Sequence, residues 1–484
     1  MESLVIIAAA VFGLLLFVQV NTYWRSGIFF ILGAGFAQDL VRKLVPGEPV
    51  AISALVGVVM LFVWGIGLAQ FRGQSNTMSL RQHYPSIVRA FVFFGGLVFF
   101  GALITIVNFD SIPLAGIGLI AYLSPIPAIW VGWWFCQTER DYRQLALLYV
   151  AFGIVVALTV FASWMGADWA IFKQVGEALV FYGDEGIITM HTGFMRAPEI
   201  TAWHLGAATC FVILLATRRP TLARTLFLLF VIVLLVSAAY LTGRRKALAM
   251  VGLFVGILAV LLQFSRHQDA RKTSVALFGV AASAIGTLYY VGGDLSDAST
   301  FRAYAERGGS TFDSAWERFY GLGIGSVGWA IDQVGFLGIG AGAVSQGGQH
   351  FGVDESLTGA AEGGLGKIIV ELGVPGLIVV TWVLWIVAKT LRRLMVQVDR
   401  LSGDASATAL ALVAFLVANA ISFVTASQVF GDPFVLILIG IVFGALLATP
   451  RLAAGGAQMR KAGALSPRGA GGNPPHNRLG GLRY

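Results

Sequence analysis

Twelve apolar runs, each close to the ~20 residues an α-helix needs to cross a bilayer, constrain this chain more than any other feature. They lie at 3–20, 50–70, 87–107, 114–136, 145–167, 201–217, 223–242, 247–264, 273–291, 367–388, 405–428 and 433–449. In lipid every backbone N–H and C=O must be paired within the protein, and a helix does this within a single segment. Over 484 residues the chain is 57% hydrophobic and 12% charged, with a mean hydropathy of +0.80. These values exclude a soluble globular protein and predict an all-α, polytopic transmembrane helical bundle in contact with the lipid bilayer. A further run, 26–38, is shorter. Arg42 and Lys43 after it favour an inside loop, whereas the alternation of the later loops favours an outside one, so the count stands at 12 or 13 spans.

The formal charge of +8 does not point to nucleic acid, because the basic residues are spread over short loops rather than gathered in a patch. They follow topology instead, since Lys and Arg accumulate on the cytoplasmic side. Arg72, Arg81 and Arg89, then Arg140 and Arg143, then Arg218, Arg219 and Arg224, then Arg266, Arg271 and Lys272, then Lys389, Arg392, Arg393 and Arg400 occupy alternate loops and read as inside. The opposite loops, 168–200 and 292–366, carry an excess of acids and read as outside. Arg244, Arg245 and Lys246 break the pattern, falling in a loop that parity places outside.

No Lys or Arg precedes the first run and further spans follow, so it is expected to stay as a helix rather than be cleaved. Residues 1–449 read as one transmembrane domain. Residues 450–484, basic, acid-free and rich in Gly and Pro, read as a disordered cytoplasmic tail. Cys136 and Cys210 lie in or beside apolar runs, which predicts buried thiols rather than a disulfide or metal pair.

Four segments outside the simple span pattern carry candidate chemistry. Glu371-Leu372-Gly373-Val374-Pro375-Gly376 places a carboxylate and a helix break inside an apolar run, where both must face protein or a water-filled cavity. Thr242-Gly243-Arg244-Arg245-Lys246 has two readings: long side chains reaching headgroups from helix ends, or a pyrophosphate site, since guanidinium groups grip phosphate oxygens in pairs. In Arg196-Ala197-Pro198-Glu199, Arg196 and Glu199 stand three apart. They form either a local ion pair or a phosphate or sugar contact with Glu199 orienting Arg196. His204 follows one turn into the span and reads as a packed histidine. The long loop 292–366 is too long for a bare connection. It contains an amphipathic stretch, Ser314–Tyr320 with Arg318, and a glycine-rich Leu337-Gly338-Ile339-Gly340.

In their order along the chain, these segments resemble the bacterial O-antigen ligase and O-antigen polymerase superfamily over roughly residues 190–390. The resemblance implies a C-type glycosyltransferase-like bundle in the bacterial inner membrane, with a large, partly helical periplasmic loop and an active site facing the periplasm. It implies transfer of a glycan from an undecaprenyl-pyrophosphate-linked oligosaccharide donor to a glycan acceptor hydroxyl, most simply the polymerisation of surface polysaccharide repeat units. O-antigen ligation to lipid A-core is the alternative within that superfamily, and a secondary transporter is the alternative from another class. Arg245 falls on the superfamily's arginine. Arg244 and Lys246 depart from its small residues and make the site more basic.

Many ligases carry a histidine nine residues before the glutamate of the Glu-x-Gly-x-Pro-Gly stretch. Here Glu362 stands in that place, either as the general base or as a solvated loop acid beside Asp354 and Glu355; His350 is the substitute, twelve residues earlier. The resemblance assigns pyrophosphate binding to Arg245, helped by Arg244, Arg196 and Arg318, with Glu199, Lys246 and His350 in support. No Asp-x-Asp pair marks a metal site in these loops, so arginine takes the part of a divalent cation and no cofactor is expected. A chain-length regulator is a further candidate partner.

Overall fold

The computed structural model describes residues 13–71, 79–172, 175, 180–183, 186–217, 222–265, 319–345, 353, 357, 363–398 and 401–452. Among these residues ten helices are long and apolar enough to cross a membrane, which makes the chain a multi-pass helical bundle. Ahead of them come two further helices, α1 (Gly13–Thr22) and α2 (Gly27–Leu44). Then follow α3 (Leu55–Phe71), α4 (Pro85–Phe109), and α5 (Ile112–Leu123) with α6 (Pro125–Phe135), which share one span broken at Ser124-Pro125. Next are α7 (Glu139–Trp164), α8 (Pro198–Ala216), α9 (Leu222–Leu241) and α10 (Arg245–Gln263). The chain ends with the short α11 (Ser326–Val334), α12 (Gly364–Val398), α13 (Gly403–Thr425) and α14 (Pro433–Ala448). The expected span at 273–291 and the tail from 453 onward lie outside the described residues. One two-stranded antiparallel hairpin, β1 (Val180–Gly183) with β2 (Gly186–Thr189), departs from the all-helical expectation within the loop between α7 and α8.

Side chains tie the helix termini into two ends. At one, Arg25 is paired with Asp141 and donates to the Phe135 carbonyl at 2.9 Å. There too the Arg451 guanidinium lies 3.5 Å above the Trp133 ring, and the Tyr84 hydroxyl donates to the Leu447 carbonyl. At the other end Arg196 joins Asp39 and Asp432. Helix α2 runs from the first end to the second, since Arg25 precedes it and Lys43 closes it by donating to the Ile171 and Gly193 carbonyls at 3.1 and 2.9 Å. Its eighteen residues rise about 27 Å, close to the ~30 Å of a hydrocarbon core. The run 26–38 is thus part of a longer helix that connects the two ends, although that helix is not among the ten apolar enough to cross a membrane. Arg42 and Lys43 are both taken up inside the protein, Arg42 by the Glu48 carbonyl and Ser53.

The tightest packing joins α6 to α14, where Gly440 and Gly444 recur four apart. A Cβ at Gly444 would collide with the Ile129 carbonyl, and one at Gly132 with that of Ile441. Lipid offers helices no hydrophobic drive to associate, so backbone approach through small residues supplies the van der Waals contact instead. Helix α8 is the central element. Nearly every residue from Ile200 to Leu215 is buried, as expected of a helix apolar on all sides. Trp203 Nε1 of α8 donates to Asn419 of α13 at 2.9 Å. Cys136 and Cys210 are both free and buried, as expected, and burial pushes the Cys136 thiol pKa up.

Candidate active site

The loop entering α8 is locked from three directions. Arg196 donates from its backbone N–H to Asp39 Oδ2 at 3.1 Å, from Nη1 to Asp39 Oδ1 at 3.0 Å and from Nη2 to Asp432 Oδ2 at 2.5 Å. Asp432 is also the N-cap of α14, its Oδ1 accepting from Phe434 N and Val435 N at 2.8 and 3.0 Å. All three side chains are buried. Burial alone would lower the Arg196 pKa, but the two carboxylates hold it above its ordinary value. The local Arg196–Glu199 pair allowed by their spacing does not form. Arg196 instead makes a buried structural junction of α2, α8 and α14, which gives it a role other than the expected phosphate contact.

Glu199, in the first turn of α8, pairs with Arg244. Arg244 occupies the N-cap position of α10. The preceding turn is set by Gly243 at φ 68°, and the Thr242 hydroxyl accepts from Arg244 N at 3.3 Å. Arg245 is the first helical residue and Lys246, half-buried, the second. A helix N-terminus carries about half a positive charge and unpaired N–H groups, so these basic residues stand where the backbone is already electropositive. Beside it, His191 Nδ1 lies 3.1 Å from Ser163 Oγ, and burial lowers the His191 pKa.

A second candidate feature is the break in α12. Gly373 takes φ 68°, ψ −171°, a conformation open to glycine, and Pro375 lacks the N–H that would continue the ladder. The turn Phe336–Ile339 fills the gap: Val374 N donates to the Phe336 carbonyl at 2.9 Å, and Ile339 N donates to that of Val370 at 2.8 Å. Two motifs more than thirty positions apart thus form one unit. The glycine loop then enters the bundle, with Ala341 N donating to the Gly101 carbonyl at 3.1 Å and Thr105 Oγ1 donating to that of Ala341 at 2.8 Å. Gly101 lies eight residues before the end of α4, so the loop reaches about 12 Å inward.

Glu371, just before the break, is buried among three partners. Tyr122 Oη donates to Oε2 at 2.5 Å, Val344 N donates to Oε1 at 3.1 Å, and Lys367 Nζ lies 3.4 Å from Oε1. Lys367 and Tyr122 were absent from the expected site. The i,i+4 spacing of Lys367 and Glu371 inside an apolar run was a readable signal, whereas nothing in the sequence ties Tyr122 to them.

Of the expected residues, the structure brings Arg244 and Glu199 together and places Arg245 and Lys246 in the same helix turn. Glu362, Arg318 and His350 lie outside the described residues, as do Asp354 and Glu355. The described chain resumes at Gly363, which lies against the Leu322 carbonyl and against that of Val424 at the end of α13. Helix α13 in turn packs on α10, the helix opened by Arg245. His204 is fully buried with Tyr149 Oη 2.6 Å from Nδ1, in keeping with a packed histidine. No metal-binding cluster of His, Cys, Asp and Glu occurs among the described residues. In comparisons with known proteins, no family model matches the chain and no curated protein matches it.

Proposed function

We propose that the chain is a membrane-embedded glycosyltransferase that moves a glycan from undecaprenyl pyrophosphate to an acceptor sugar hydroxyl, most simply as a surface-polysaccharide polymerase of the bacterial inner membrane acting on its periplasmic face. The observation that carries this reading is the Thr242–Lys246 turn. It sets Arg244, Arg245 and Lys246 at the N-terminus of α10, with Glu199 fixing Arg244 from the neighbouring helix. The superfamily resemblance adds the order of the motifs, and the contact of the glycine loop with the break in α12 makes two of those motifs a single structural unit.

In the proposed reaction the acceptor oxygen attacks the anomeric carbon and forms the new glycosidic bond as the bond to pyrophosphate breaks, with inversion. Glu362 takes the hydroxyl proton. The departing undecaprenyl pyrophosphate carries the electron pair as an anion, stabilised electrostatically by Arg245 and Arg244. Replacing Arg245 by lysine and by alanine tests this. Lysine keeps the charge but loses the planar two-donor fork, so polymer output at equal membrane abundance should fall with both variants. Parental output with both would remove the pyrophosphate role.

The broken α12 with its buried Lys367–Glu371 pair also favours a second reading, secondary transport through a discontinuous helix. Ion-coupled solute uptake by the purified protein in vesicles, without turnover of a lipid-linked glycan, would favour it.

A further inference from the structure

Arg140 and Arg143 stand in the opening turns of α7, both exposed and without an ion-pair partner among the described residues. Three apart on a helix, they are neighbours on one face. The acids beside them are committed elsewhere. Asp141 is buried, accepts from Gln137 N and Thr138 N at 3.0 and 2.7 Å and pairs with Arg25, while Glu139 Oε1 accepts from the Ser402 hydroxyl at 2.9 Å. With Arg25, three guanidinium groups face two carboxylates there, at a helix end whose dipole already favours anions. The same face of α7 continues as an apolar stripe. At helical spacing from Arg143 come Leu147, Ala151, Val155 and Leu158, all exposed. Arg89 heads a similar stripe on α4, with Val92 and Phe93 exposed three and four positions on. Both heads lie at one end of the bundle. His83 and Tyr84, at the start of α4, rest on the Trp133 ring, and Arg25, the partner of Asp141, donates to the Phe135 carbonyl two residues later.

A charged head above an apolar flank narrows the ligand. A soluble phosphate or an acidic protein would meet the arginines alone. An anionic amphiphile meets both features: its phosphate oxygens take guanidinium donors in pairs, and its acyl chains lie along the exposed stripe. We infer that Arg140 and Arg143, with the Leu147–Leu158 face beneath them, form a binding site for an anionic phospholipid in the leaflet at the Arg25 end, separate from the arginine turn at α10. Neither glycan transfer nor the orientation of the bundle enters this binding chemistry.

The test reconstitutes the full chain in nanodiscs of phosphatidylcholine with a minor share of phosphatidylglycerol, releases it gently into detergent and counts the retained lipids by native mass spectrometry. Phosphatidylglycerol should be retained above its share of the bilayer. Arg140→Gln and Arg143→Gln should each lower that preference about fivefold, the factor for about 1 kcal/mol per arginine near a charged surface. The thermal unfolding midpoint should not move, because neither side chain has a protein partner to lose. Arg392→Gln with Arg393→Gln, exposed on α12, is the comparison pair. Retention of the two lipids in bulk proportion would overturn the site. So would a preference that survives loss of both α7 arginines, or one lost only in the α12 pair. Displacement of phosphatidylglycerol by inorganic phosphate at equal concentration would show arginines that bind any phosphate, and the lipid site would fall.

Discussion

The Tyr122 hydroxyl donates to Glu371 Oε2 at 2.5 Å across 249 positions of the chain, joining the α5–α6 span to the break in α12. The bond matters because Glu371 is a buried charge inside a membrane span. Its cost is offset by Tyr122, the Val344 N–H and Lys367 together. Removing the carboxylate with Glu371→Ala strands Lys367 and should destabilise by about 3–5 kcal/mol. Tyr122→Phe should cost about 1.5–3 kcal/mol, as for a hydrogen bond to a charged group. Unfolding in mixed micelles by SDS titration measures both. In a Glu371→Gln background the Tyr122→Phe cost should shrink, and additivity of the two would mean that they do not act through this bond.

Arg196 and Arg244 are predicted to fail in different ways. Arg196→Ala leaves Asp39 and Asp432 buried without their shared cation, so a loss of about 3–5 kcal/mol is expected, seen as low membrane abundance and a lowered unfolding midpoint. Arg244 and Glu199 are partly exposed, at 20% and 18%, so their double-mutant coupling should be only about 0.2–1 kcal/mol. Arg244→Ala should therefore reach the membrane at parental levels and lose polymer output. A stable Arg196→Ala protein would contradict the junction.

Glu362→Gln keeps size and hydrogen-bonding capacity but removes basicity. Under the transfer reading it should lower turnover by roughly two to four orders of magnitude, measured on purified protein with a lipid-linked repeat unit after the size-exclusion profile has been checked. Parental turnover in a well-folded variant would make Glu362 a bystander and move attention to His350.

The loop charges predict that the Arg196 end faces outward. Asp168→Cys, beside that end, should react with an impermeant thiol reagent in spheroplasts, and Arg140→Cys, at the Arg25 end, should not. Background is low because Cys136 and Cys210 are buried. The reverse labelling pattern would turn the bundle over and place the arginine cluster inside.

What the sequence determined by itself was the class of the protein and the positions of the described spans, because hydropathy over about twenty residues is a property of the local chain. The break at Gly373 was equally legible, since a glycine followed by Val374-Pro375-Gly376 disrupts helix chemistry wherever it stands. Tertiary structure decided the partners. Asp39 and Asp432, 157 and 236 positions from Arg196, took up a guanidinium that local spacing offered to Glu199. Glu199 in turn was left to Arg244. Arg42 and Lys43 looked like loop charges because composition cannot show that their donors are taken up inside the protein. The same holds for Tyr122. A single buried charge gathers whatever donors the packing brings within about 3 Å, and only the assembled helices decide which those are.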